Sequence, residues 1–293
     1  MKVAVVTPTI GSKYLFECTR SVREQTYEDL THYLFIDGSQ YRDEVKYHTQ
    51  GSGVKYVELE ENVGKGWYGH RVYAACSFLV NADVICYLDE DNWFEKDHVE
   101  KMVAKLQEGN QWVYSLRKIY DKEGSFICED NCESLGKWPV YFSGDTNHID
   151  TSCYAVRTDI AVRVGHSWYG QWGADRQFFY TLRQHFPTYD CTGAYTTCYR
   201  LDGNPNSVTK EFFIEGNNIN KDKYNDDYPW LKKGQKPSAG IIAPDARQPW
   251  RTRAKIARCR SSAGTPHARP ALHRQPLDVA RFGHAHQGVR PVR

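Results

Sequence analysis

No stretch of this sequence keeps about 18 apolar residues together, so no membrane-spanning helix is expected. A basic-then-apolar leader is also missing. The chain opens directly on a strand-like run at Val3, and a cytoplasmic setting is expected. There is no Gly-x-x-x-x-Gly-Lys-Ser/Thr segment, which excludes a P-loop. His148 and Asp150 precede Thr151-Ser152, but without a Gly-x-Ser-x-Gly elbow they give little support to Ser–His–Asp hydrolysis. The nine cysteines are an odd number, and Cys128 and Cys132 lack a second pair at zinc spacing, so reduced thiols are expected. Positive charge is short in the body of the chain. Residues 247–293 hold ten Arg, one Lys and one Asp, a formal +10 out of the net +2, which leaves −8 on everything before them. An acidic body argues against nucleic-acid binding by the folded part, since phosphate contacts need clustered Lys and Arg.

What is present is enough apolar material, 40% of the chain, for a sizeable core. Aromatics reach 14%, including 20 Tyr and 8 Trp, and serve either as large core residues or as sugar-facing surfaces. Val3–Thr7, His32–Ile36, Val54–Leu59 and Val84–Leu88 read as short strands. Between them, Leu15, Cys18 and Val22 fall on one helix face, with Ser12 as a candidate cap. Val72, Ala75, Cys76 and Leu79 suggest a second helix, and Val99, Met102, Val103 and Leu106 a third. Further on, Trp112–Tyr120 and Tyr195–Tyr199 read as strands, and Thr158–Val164 and Gly173–Phe186 as helices. The alternation predicts an α/β fold, a Rossmann-like and mainly parallel sheet flanked by helices. In such sheets ligands sit beyond the carboxyl ends of the strands, where this chain has Asp37 and the triplet Asp89-Glu90-Asp91.

Alternate residues of an extended segment point the same way, so Asp89 and Asp91 are placed to converge. Two hard carboxylates suit Mg²⁺ or Mn²⁺, which keep open positions for substrate phosphates. A solvated acidic loop is the plainer alternative. Val5-Val6-Thr7-Pro8-Thr9, Ser21-Val22 with Gln25-Thr26-Tyr27, Ile36-Asp37-Gly38-Ser39, Asn62-Val63-Gly64-Lys65-Gly66 with Arg71, and Leu88-Asp89-Glu90-Asp91 follow in series. In that order they resemble family 2 glycosyltransferases over roughly residues 1–200.

The resemblance implies an inverting, metal-dependent, non-processive enzyme of GT-A fold, moving a sugar from a nucleotide-sugar, UDP favoured, to a carbohydrate or glycolipid hydroxyl. It implies that Pro8, Thr9 and Asp37 line the nucleotide pocket and that Asn62, Lys65 and Arg71 approach the nucleotide. Asp89 would touch ribose or metal, and Asp91 would hold Mn²⁺ or Mg²⁺. Gly170-Gln171-Trp172-Gly173-Ala174-Asp175 is similar to the family's Gly-Glu-Asp segment, with Ala174 in the Glu position, which makes Asp175 the expected base. Trp168 and Trp172 flank it, with Trp172 assigned to the acceptor and either ring equally fit for the core. Tyr199-Arg200 resembles the closing Tyr-Arg, Asp202 is a spare candidate ligand, and Asn204–Ser207 a candidate lid.

The expected organisation is one GT-A domain over 1–237, with a nucleotide-sugar half to 110 and an acceptor half from 111. An Arg/Pro-rich tail over 238–293 is expected to be disordered. That tail reads either as a polybasic tether to an anionic membrane surface or other partner, or as a solvated, even non-native, extension. Rival functions stay open: a nucleotidyltransferase making activated sugars, a degenerate sugar-binding module, which Ile36 and Ala174 permit, and a nucleic-acid partner using the Arg-rich tail.

Overall fold

Val3–Val6, Leu34–Ile36 and Val84–Leu88 are almost wholly shielded from solvent. Strands apolar on both faces need cover on both, and the computed structural model supplies helices on either side. The structure describes residues 1–144, 146–171, 173–201 and 208–231. Along the chain they form β1 (Val3–Thr9), α1 (Leu15–Arg23), β2 (Leu30–Asp37), α2 (Arg42–His48), β3 (Lys55–Leu59), α3 (His70–Cys76), β4 (Val84–Tyr87), β5 (Trp93–Phe94), α4 (His98–Gln107), β6 (Trp112–Tyr120), β7 (Phe126–Glu129), β8 (Tyr154–Arg157), α5 (Thr158–Val164), α6 (Ala174–His185), β9 (Tyr189–Arg200) and α7 (Lys210–Tyr224).

The sheet runs β3-β2-β1-β4-β8-β6-β9-β5, with β7 beside β6. β3, β2, β1 and β4 are parallel, β8 is reversed between β4 and β6, and β9 is parallel to β6. β5 and β7 are reversed at the margins. The expected α/β architecture is therefore present, with reversed strands confined to its second half. From β1 the chain builds β2 and β3 to one side and then returns to place β4 on the other. A crevice opens beyond the carboxyl ends at such a reversal.

The strand period of two sorts the core into two layers. Ala4, Val6, Tyr33, Phe35, Ile85 and Tyr87 face α3, α5 and α6 through Val72, Tyr73, Ile160, Phe178 and Leu182. Val3, Val5, Leu34, Ile36, Val84 and Cys86 face α1, α2 and α4 through Leu15, Cys18, Val45, Met102 and Leu106. A smaller cluster of Ile119, Ile127, Cys128, Cys132 and Phe213 seats α7 on the β6–β7 hairpin.

Two local expectations are corrected. Ser12 does not cap α1: its hydroxyl accepts from Tyr14 N at 3.2 Å, one turn early, and the cap position is Tyr14. α3 ends at Cys76, so Ala75 and Leu79 are exposed and Tyr73 joins Val72 and Cys76 on the buried face. The eight described cysteines are all buried and free. No described helix is long and apolar enough to cross a membrane.

Candidate active site

The crevice between β1 and β4 holds a cleft of about 720 Å³. Pro8, Thr9, Asp37, Asn62, Lys65, Asp89 and Asp91 all line it. Gly64, Tyr68, His70, Tyr73, Thr151 and Tyr199 are among the other residues of the wall. Asp202 and the 204–207 segment, Trp172 and residues 238–293 lie outside the described residues.

Asp37 ends β2 and is only 3% exposed. Its Oδ1 accepts from Val63 N at 2.8 Å and its Oδ2 from Gly64 N at 2.9 Å. Its first task is thus to fold the 62–69 loop against the strand ends. That loop presents Lys65, which is exposed, and Asn62, whose Oδ1 is buried with no hydrogen-bond partner among the described residues. An orphaned acceptor in a cleft wall awaits a donor. Arg71 departs from expectation and does not line the cleft. Its guanidinium stacks on Trp67 at 3.8 Å and faces Tyr169 at 5.3 Å, tying the 62–69 loop to the loop before α6. The planar cation gains more from two rings than from open solvent.

The acidic triplet divides its labour. Glu90 turns back to β1, where its Oε2 accepts from Thr9 Oγ1 at 2.6 Å, Ser12 N at 3.0 Å and Ile10 N at 3.3 Å. Burial nevertheless pushes its carboxyl up. Thr9 lines the cleft, but its hydroxyl is spent on Glu90. Asp89 accepts from Tyr73 Oη at 2.8 Å on Oδ1 and from Ser152 Oγ at 3.1 Å on Oδ2. Burial, and then the charge of Asp150, push its carboxyl up to about 7 against the pull of those two hydroxyls. The backbone of Asp91 is fixed from β9, where Arg200 Nε donates to its carbonyl at 3.1 Å. Arg200 is 4% exposed, also paired with Glu17 and stacked on Tyr14 and Trp93.

Asp175 sits in the first turn of α6 and is not part of the cleft wall. Its Oδ1 accepts from Arg176 N at 2.8 Å. Its charge is nonetheless felt at Asp89 and at His70, whose imidazole is lowered first by burial, with the Gly170 carbonyl and then Asp175 opposing. Trp168 is fully buried and stacked on Phe178 at 4.1 Å, so it is a core ring rather than a sugar platform.

The segment 148–152 is the part that sequence reasoning missed. His148 and Asp150 do not pair with each other. His148 Nε2 faces Asp175 Oδ2 at 3.7 Å, and Asp150 Oδ2 accepts from Arg117 at 2.8 Å. Thr151 lines the cleft and Ser152 holds Asp89. One five-residue segment therefore reaches the expected base through His148 and the first acid of the triplet through Ser152. The sequence signal was the cluster of chemistry-bearing residues itself, considered only for hydrolysis.

The sequence model of glycosyl transferase family 2 matches residues 4–195. An uncharacterized protein of Haemophilus influenzae is 35% identical over 72 residues, which are 25% of this chain and 49% of that protein. Residues 1–349 of S. aureus TarS in complex with UDP-GlcNAc share the fold at TM-score 0.55 and 15% identity, over 77% of this chain and 67% of that one. The complex with UDP gives TM-score 0.54 and 14% identity, over 75% and 64%. A third TarS 1–349 structure gives TM-score 0.54 and 16% identity, over 68% and 60%. The chain thus spans about half the length of the Haemophilus relative and 60–67% of the TarS chains. The expected fold is the one these structures have, and with its match over residues 4–195 the chain belongs to glycosyl transferase family 2.

Proposed function

We propose that this protein passes a sugar from a nucleoside diphosphate, UDP by preference, to a hydroxyl of a carbohydrate or glycolipid acceptor, with inversion. The observation that carries this is the gathering of Asp37, Asn62, Lys65, Asp89 and Asp91 around one cleft at the strand ends. Family membership supports it, as do the TarS structures solved with UDP and UDP-GlcNAc.

In this reading Asn62 Oδ1 accepts from the base or ribose, because an oxygen acceptor repels phosphate. Lys65 is the mobile cation for the diphosphate. Asp89 and Asp91 open on the same cleft with hard carboxylate oxygens, and such a pair fits Mg²⁺ or Mn²⁺. No cluster of three or more His, Cys, Asp or Glu side chains is placed for a metal among the described residues. Bound at that pair, the cation would supply charge neutralisation for the departing diphosphate. Asp175 takes the proton of the acceptor hydroxyl as its oxygen bonds to the anomeric carbon and the bond to the diphosphate breaks.

The nucleotidyltransferase alternative needs the β1–α1 loop to offer amides to phosphate. Here the amides of Ile10 and Ser12 donate to Glu90. The decisive assay incubates the protein with UDP-sugars and Mn²⁺ and measures UDP release. Asp175→Asn should lower turnover by roughly 10²–10⁴-fold while UDP still binds. Full turnover in that variant would remove Asp175 from the reaction. Pyrophosphate formed from UTP and a sugar phosphate would favour the rival.

A further inference from the structure

The protein has other buried histidines, and they make a useful contrast. His32 Nε2 meets Thr7 Oγ1 at 3.0 Å and His98 Nδ1 meets Thr196 Oγ1 at 2.9 Å, each deep in the core. His148 is just as buried, at 5% exposure, but it faces a carboxylate at the edge of the site. Its Nε2 lies 3.7 Å from Asp175 Oδ2, while its Nδ1, like His32 Nδ1 and His98 Nε2, has no hydrogen-bond partner among the described residues. A core histidine kept only for packing has no reason to confront the one acid at the start of α6.

The backbone that carries the ring is also held in place. The His148 carbonyl accepts from Gly136 N at 2.9 Å. Next to it, Asn147 Nδ2 donates to the Gly136 carbonyl at 2.8 Å, and Asn147 Oδ1 accepts from Arg183 Nη1 at 3.3 Å. Tyr180 Oη accepts from Asn147 N at 3.4 Å. Tyr180 and Arg183 belong to α6, as does Asp175, so two hydrogen bonds to Asn147 fix the segment against the helix that carries the acid. Asp175 Oδ1 is tied to its own helix through Arg176 N, which leaves Oδ2 as the oxygen His148 can steer.

We propose that His148 is the positioning residue for Asp175, its Nε2–H holding Oδ2 so that the carboxylate meets the acceptor hydroxyl in one orientation. This rests on the assignment of Asp175 as the proton acceptor. The 3.7 Å separation shortens to a hydrogen bond when the acceptor fills the site, as apo contacts of this kind do.

The test uses the full chain, UDP-sugars and Mn²⁺, with UDP release as readout. His148→Ala should lower kcat by on the order of 10²-fold with the donor KM unchanged. His148→Gln, whose side-chain amide can donate to the same oxygen, should recover most of that loss. The double variant His148→Ala/Asp175→Asn should be no slower than Asp175→Asn alone, because residues acting as a unit are not additive. Multiplying losses, or no rescue by Gln, would overturn the proposal. A second measurement stands apart from turnover: ¹⁵N NMR of the imidazole should show His148 protonated on Nε2, and that signal should move in Asp175→Asn. If no UDP-sugar is turned over, the transferase reading falls, yet the NMR arm still decides the pair. An imidazole signal indifferent to Asp175→Asn overturns it.

Discussion

At position 64 a side chain has nowhere to go. A Cβ there would lie 2.5 Å from Asp37 Oδ2 and 3.1 Å from Gly69 Cα. Gly64→Ala must therefore push Asp37 off the Val63 and Gly64 amides, and the 62–69 loop loses its anchor. Loss of one hydrogen bond to a charged group costs about 1.5–3 kcal/mol, so UDP affinity should fall roughly tenfold or more, measured by calorimetry. An unchanged Kd would mean that this loop does not hold the nucleotide. Asp37, Asp89 and Asp91 could be placed at strand ends from the apolar runs before them, and Asn62 and Lys65 only through the family resemblance; all five line the cleft. Their roles were less legible. That Asp37 would be spent on amides, Thr9 on Glu90 and Arg71 on two aromatic rings depends on loops folding back from up to 100 residues away. Tyr73, Thr151 and Ser152 reach the site from other elements, and no local pattern announces them.

At the scale of elements, β1 to β4, α1, α4, α5 and α6 could be read from apolar period alone. α7 could not, because its buried face is Phe213, Gly216 and Asn220. Asn220 donates to the Asn131 carbonyl at 2.7 Å, and a Cβ at Gly216 would strike Cys132 at 2.7 Å. Close approach and amide hydrogen bonds replace the greasy stripe that periodicity detects. The 130–134 loop misleads in the same way: Asp130, Asn131 and Glu133 look like surface and are all buried. Arg117 explains why, pairing with Asp130 at 2.7 Å, with Asp150 at 2.8 Å and with Glu133. This one cation joins β6 to both the 130–134 loop and the segment carrying Ser152. Arg117→Met should cost about 3–5 kcal/mol in urea unfolding, because three buried carboxylates are left without their counter-charge. A loss under about 1 kcal/mol would show the cluster to be solvated.

At the scale of the whole molecule, two layers of helices close over one sheet and trap His32 and His98 between them. Burial lowers both imidazoles to about 3. Each stays neutral in the fold, while the unfolded chain binds a proton below its ordinary value near 6.5. Stability therefore falls as pH drops below about 6.5 and keeps falling to about 3, by roughly 2 kcal/mol per histidine at pH 5. Urea unfolding at pH 7.5 and pH 5 should show this, and His98→Gln should remove about half of the difference. An equal difference in that variant would assign the acid sensitivity to other groups. The central claim, a nucleotide site at the reversal between β1 and β4, is tested most directly by thermal unfolding with UDP, with and without Mn²⁺. A ligand at 100 times its Kd that binds only the native state adds about 2.7 kcal/mol, or roughly 5–10 °C for a domain of this size. The account predicts such a rise with UDP and Mn²⁺ together, little with either alone, and none in Asp91→Ala. A rise that survives in Asp91→Ala, or no rise with any nucleoside diphosphate, would contradict it.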